Sequence, residues 1–172
     1  MKIWLPAFIV GCVIAALYLA LPAPVTRDAQ IGDVLADARM NGLSGQDSSL
    51  SAYRGKPLLI NVWASWCGPC RDEMASINEL ARRYGGKQFN VIGISTDDYR
   101  DQAAAFLQES NTTFTNYIDD RQALENMLGA NRIPLTILVD ADGKVLEKVN
   151  GSHDWTSPES LKLIEHAFQL AL

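Results

Sequence analysis

Cysteine and histidine are scarce in this chain: Cys12, Cys67 and Cys70, with His153 and His166, across 172 positions. Three cysteines are too few for a disulfide-stapled scaffold or a four-thiolate zinc site. Only two scattered histidines remain to complete a mixed one. Basic charge is also short, with 15 Lys and Arg against 20 Asp and Glu, for a net charge of −5. Nucleic-acid binding favours a basic patch, so the balance argues for no nucleic-acid partner. The sequence shows neither an internal repeat nor a low-complexity stretch, which leaves no sign of a solenoid.

Charge is missing altogether from Ile3 to Val25, a run of 23 residues closed by Pro22 and Pro24. A spanning helix needs ~20 apolar residues, whereas the core of a cleaved signal needs only ~7–15. The excess length favours an uncleaved anchor over residues 1–25. Cleavage after Ala23 is the first alternative. The second is lipoprotein processing at Ile9-Val10-Gly11-Cys12, although the apolar run continues well past Cys12. Lys2 precedes the span, and Arg27, Asp28 and Asp33 follow it. A positive-inside bias then leaves everything after Val25 outside the cytoplasm. Residues 26–37 are short and mixed and read as a tether.

From residue 38 the pattern becomes that of one α/β domain running to residue 172. Ala38 to Leu50 reads as a small hairpin with Gly42, Gly45 and Asp47 near its turn. Leu58 to Trp63 is an apolar run broken by one Asn, as in a strand buried on both faces. Met74, Ile77, Leu80 and Tyr84 recur at helical spacing, and Gly85-Gly86 ends that helix. Phe89–Ser95 and Leu135–Val139 read as further core strands, and Lys144–Val149 as an edge strand after the turn at Asp140–Gly143. Helices are expected near 99–109 and 121–129, with an extended segment at Phe114–Ile118 between them. Ser157-Pro158-Glu159 caps a final helix. Asp97-Asp98 reads as a cap on the helix that follows.

Two cysteines three apart, in Trp66-Cys67-Gly68-Pro69-Cys70, can close a disulfide, hold a metal or fill a core. Core filling does not require the tight turn that Gly68 and Pro69 impose. A thiolate pair suits Cu(I), so a copper-binding assembly factor stays open as an alternative. If Cys67 lies where a strand turns into a helix, Pro69 sits in the first helical turn, where its missing N–H is not needed. Cys67 then faces the unpaired N–H groups of the helix start, which favour thiolate over thiol. Cys67 becomes the attacking sulfur, and Cys70, one turn on, the resolving one. No cofactor beyond the cysteine pair and no metal are expected.

The stretch containing WCGPC resembles thioredoxin. LSAYRGKPLLINVWASWCGPCRDEM, VIGISTDD and NRIPLTILVDADGKV together resemble the TlpA/ResA/CcmG-type exported, membrane-anchored thiol–disulfide oxidoreductases over about residues 38–170. The resemblance implies a thioredoxin-like fold with a central mixed sheet flanked by helices, an N-terminal hairpin extension and a central insertion. It implies that Ile133-Pro134 is a cis-proline turn opposite the cysteines, which with Trp66, Gly68 and Pro69 shapes the substrate groove. It places Asn61 where thioredoxin carries a buried acid, and Leu135 where the family usually has Thr. It gives Glu73 a part in thiol ionisation, whereas spacing alone also fits an ordinary exposed charge. His153 and Trp155 read as a plain loop. The implied partners are protein disulfides of the bacterial envelope, among them those of cytochrome c maturation and of oxidase or copper-site assembly. A membrane thiol-electron donor of the DsbD/CcdA type would recharge the site, with the catalytic domain in the periplasm. A dithiol oxidase is the nearest alternative within the class.

Overall fold

The structure, a computed structural model, describes residues 28–172. The anchor expected over residues 1–25 lies outside the described residues. Among those described, no helix is long and apolar enough to cross a membrane.

Seven strands form one sheet in the order β2-β1-β5-β4-β3-β6-β7. Strand β3 (Leu58–Trp63) is wholly buried and lies parallel to β4 (Asn90–Ser95) and antiparallel to β6 (Leu135–Val139). Its apolar run, interrupted only by Asn61, is explained by that central place, because both faces of the strand are covered. Strand β5 (Thr115–Ile118) extends the sheet parallel to β4, and β7 (Val145–Asn150) closes the other edge antiparallel to β6. The N-terminal hairpin, β1 (Arg39–Gly42) and β2 (Ser48–Ser49), adds to β5 rather than standing apart. The hairpin and β5 therefore complete one edge together.

Alternation along β3 divides the core. Leu59 and Trp63 face helix α1 (Gly68–Tyr84), whose Met74, Ile77 and Leu80 are buried against them. Helix α2 (Arg100–Glu109) contributes Phe106 and Leu107 to this layer, and helix α4 (Pro158–Phe168) contributes Ile164 and Phe168. Leu58, Ile60 and Val62 face the opposite layer, with Leu124 and Leu128 of helix α3 (Ala123–Leu128) and with Met40 and Leu50 of the hairpin region. This is a thioredoxin-like α/β fold, built from the expected elements in the expected order.

The stretch read as a tether is different from Asp28 onward. Leu35 is buried in the second layer. Gly32 N donates to the Val145 carbonyl at 2.8 Å, Val145 N to that of Asp33 at 2.8 Å, and Leu35 N to that of Gly143 at 2.9 Å. Lys148 Nζ donates to the Ala29 and Leu128 carbonyls, each at 2.8 Å. One apolar side chain and backbone pairing against the β6–β7 turn dock a segment whose composition looks like a linker.

Candidate active site

The strand-to-helix turn expected at the cysteines is present. Strand β3 ends at Trp63, and Cys67 is the N-cap of α1 with extended backbone at φ −83° and ψ 105°. Pro69 falls in the first turn, where no N–H is needed. Cys67 Sγ accepts from Cys70 N at 3.3 Å, so the sulfur takes the place of a capping oxygen at the positive end of the helix. Cys67 and Cys70 are disulfide-bonded, with Cα atoms 5.3 Å apart. Cys70 is fully enclosed, while Cys67 keeps 6% of its surface beside the exposed Gly68 and Pro69.

The Ile133–Pro134 peptide is cis, and the Ile133 carbonyl oxygen lies 3.8 Å from Cys67 Sγ. The structure thus brings the proline turn against the outer sulfur. Trp66, next to Cys67 in the chain, is 68% exposed. Trp63 is fully buried beneath the loop and donates through Nε1 to Asn116 Oδ1 at 2.9 Å.

Glu73 is not the exposed charge its position in the helix also fitted. Its carboxylate is buried and accepts from Asn61 Nδ2 at 2.8 Å, and from His153 N and Trp155 Nε1, each at 3.2 Å. Burial pushes the Glu73 carboxyl above the ordinary carboxylate range, and the three donors only partly offset this. Asn61 is likewise buried and gives its second amide hydrogen to Thr136 Oγ1 at 3.1 Å. Among the described residues, Asn61 Oδ1 is the buried side-chain oxygen or nitrogen atom left without a hydrogen-bond partner.

Two features escaped the sequence reading. Gly151–Trp155 is not a plain loop, because Trp155 is fully buried and closes over Glu73. Nor does Asp97 cap α2, whose N-cap is Tyr99 with no side-chain bond. Asp97 is fully buried instead and bonds to Ser65 in the cysteine loop. Trp63 and Ser95 are paired in register at the ends of the parallel strands β3 and β4, so Ser65 and Asp97, each two residues further on, are neighbours.

The described residues contain no group of three or more His, Cys, Asp and Glu placed to hold a metal ion. A thioredoxin-like sheet presenting a vicinal cysteine pair at a helix start defines the class of thiol–disulfide oxidoreductases. The Redoxin family profile matches residues 30–164. A thiol–disulfide oxidoreductase ResA of Geobacillus thermodenitrificans is 30% identical over 122 residues, 71% of this chain and 70% of that protein. A thiol:disulfide interchange protein DsbE of Vibrio cholerae is 35% identical over 118 residues, 67% of this chain and 62% of that one. The crystal structure of a Chlorobium tepidum protein assigned as DsbE superposes with a TM-score of 0.75 at 28% identity, covering 81% of this chain and 99% of that one. The chain belongs to the Redoxin family and is a thiol–disulfide oxidoreductase of the TlpA/ResA/CcmG type.

Proposed function

We propose that the protein is an exported, membrane-anchored reductant of envelope protein disulfides, acting by dithiol–disulfide exchange at Cys67 and Cys70. In the reduced protein, the Cys67 thiolate attacks one sulfur of the substrate disulfide. A Cys67–substrate mixed disulfide forms, and the other substrate sulfur leaves as a thiolate. The Cys70 thiolate then attacks Cys67 Sγ, which releases the second substrate thiolate and closes the Cys67–Cys70 disulfide. Two electrons have passed to the substrate, and a membrane dithiol donor of the DsbD/CcdA type returns them. Substrates are disulfides of proteins handled in cytochrome c maturation or in oxidase and copper-site assembly. Glu73, buried on α1 three residues after Cys70, supplies or takes the proton that accompanies the change of redox state. Trp66, Gly68, Pro69, Ile133 and Pro134 form the groove for the substrate chain.

The observation that carries this reading is the inequality of the two sulfurs. Cys67 Sγ accepts from the helix-start N–H and keeps some exposure, while Cys70 is enclosed behind it. Trapping tests it. Cys70→Ser should leave Cys67 covalently joined to substrate, and mass spectrometry of the adduct identifies the client. Capture by Cys67→Ser with Cys70 as the bonded residue would reverse the assigned roles. The direction of flux is read from the reduction potential: a thioredoxin-like value of about −270 mV supports a reductant, and one above about −150 mV an oxidant.

A further inference from the structure

Ser65 stands two residues before Cys67 and is held at every polar atom it has. Its N–H donates to Asp97 Oδ2 at 2.9 Å and its hydroxyl to Asp97 Oδ1 at 2.5 Å. Its carbonyl accepts from Arg71 Nη1 at 3.3 Å. Asp97 is in turn fixed by Ser95, whose Oγ donates to Asp97 Oδ2 at 2.7 Å and accepts from Asp97 N at 3.1 Å. Asp97 and Ser95 are both fully buried. Enclosing a carboxylate in this way is unfavourable unless good hydrogen bonds replace its hydration. Three donors converging on one acceptor-only group supply that compensation.

We propose that Asp97 is a positioning residue for the exchange reaction: through Ser65 it holds the loop that keeps Cys67 at the start of α1 once the disulfide is open. The proposal rests on Cys67 being the attacking sulfur. In the oxidised protein the Cys67–Cys70 bond itself ties the loop to the helix. Reduction removes that covalent tie. What then keeps Cys67 Sγ over the Cys70 N–H is the non-covalent anchorage of the loop, and Ser65 is its fixed point. A loop free to drift takes the sulfur away from the helix-start donors that favour the thiolate.

Geometry and charge make opposite predictions here. If Asp97 acts by holding the loop, weakening it makes Cys67 less acidic. If it acts only as a nearby negative charge, removing that charge makes Cys67 more acidic. The test is the pH dependence of Cys67 alkylation in the reduced full-length protein, with peptide mass spectrometry separating Cys67 from Cys70. Asp97→Asn keeps the shape and exchanges one acceptor oxygen for a donor. Ser65→Ala removes only the hydroxyl bond and leaves the Asp97 charge in place. Both should raise the alkylation midpoint and slow modification at pH 7, by roughly threefold or more, on the scale of one helix-terminus interaction. Both should also leave the protein more oxidised in a given dithiothreitol buffer, because the reduced form is the one weakened. An unchanged midpoint in both variants, or a lowered one in Asp97→Asn, overturns the proposal. Should Asp97→Asn not fold, Ser65→Ala decides alone by the same rule. If Cys67 of the unsubstituted protein titrates like a free cysteine, it is the exchange reading that fails; a depressed midpoint that neither variant moves refutes the clamp alone.

Discussion

Asn61 Nδ2 donates to Glu73 Oε1 at 2.8 Å, so the residue standing where thioredoxin carries a buried acid serves as a donor to a different acid on α1. The carboxylate stands on α1, three residues after Cys70, and is buried. Its desolvation has a consequence for stability. Below the ordinary carboxylate value of 4.5 the side chain is protonated in both folded and unfolded chains. As the pH rises past 4.5, the unfolded chain gives up this proton first, because burial raises the folded value. Stability is therefore lost as the pH rises from 4.5 through the folded value, and then levels off.

Glu73→Gln should flatten this loss. Asp37, Asp47, Glu79 and Asp154 have carboxyls held low by hydrogen bonds and contribute the opposite slope, so the comparison is variant against parent. Urea unfolding of the oxidised proteins between pH 4 and 8 measures it. The variant gains relative to the parent as the pH rises, even though at low pH it is weaker by about 1–3 kcal/mol, because its amide N–H₂ faces other donors. Parallel curves would show that Glu73 does not titrate in this range. The same variant should alter the pH profile of thiol alkylation if Glu73 exchanges a proton with the cysteines.

Gly93 on β4 is required by a close approach. A Cβ there would overlap Asn116 Oδ1 and Trp63 Nε1, the two atoms of the buried bond beneath the cysteine loop. Gly93→Ala should cost about 1–3 kcal/mol, seen as a lower urea midpoint at unchanged m-value. Parental stability would mean that the Trp63–Asn116 bond yields without cost.

The docked N-terminal segment makes a separate prediction. Leu35→Ala removes a buried side chain near the edge of the second layer and should destabilise the domain by about 2 kcal/mol. No change in the thermal midpoint would return residues 28–37 to the role of a tether.

What the sequence made legible was set by local chemistry. The apolar run of β3, the helical spacing of Met74, Ile77 and Leu80, and the Ser157-Pro158 start of α4 each bear their cause within a few residues. The placement of Cys67 followed from Pro69 in the same way, whereas the cis turn at Pro134 was implied by the family resemblance. What stayed hidden depends on distant partners. Asp97 looked like a helix cap because such residues usually are, and only the in-register pairing of β3 with β4 gives it Ser65. Trp155 sits in a polar pentapeptide, and its burial is decided by Glu73, 82 positions earlier. Leu35 lies among charged and small residues, and the β6–β7 turn that covers it is more than a hundred residues away.

The two sulfurs differ because one caps a helix. Alkylating the reduced protein with a substoichiometric reagent across pH 5 to 9 and locating the label by mass spectrometry tests it most directly. Cys67 should be modified first, with a midpoint well below the ~8.5 of a free cysteine, and Cys70 should lag at every pH. First modification at Cys70, or a Cys67 midpoint near ~8.5, would contradict it.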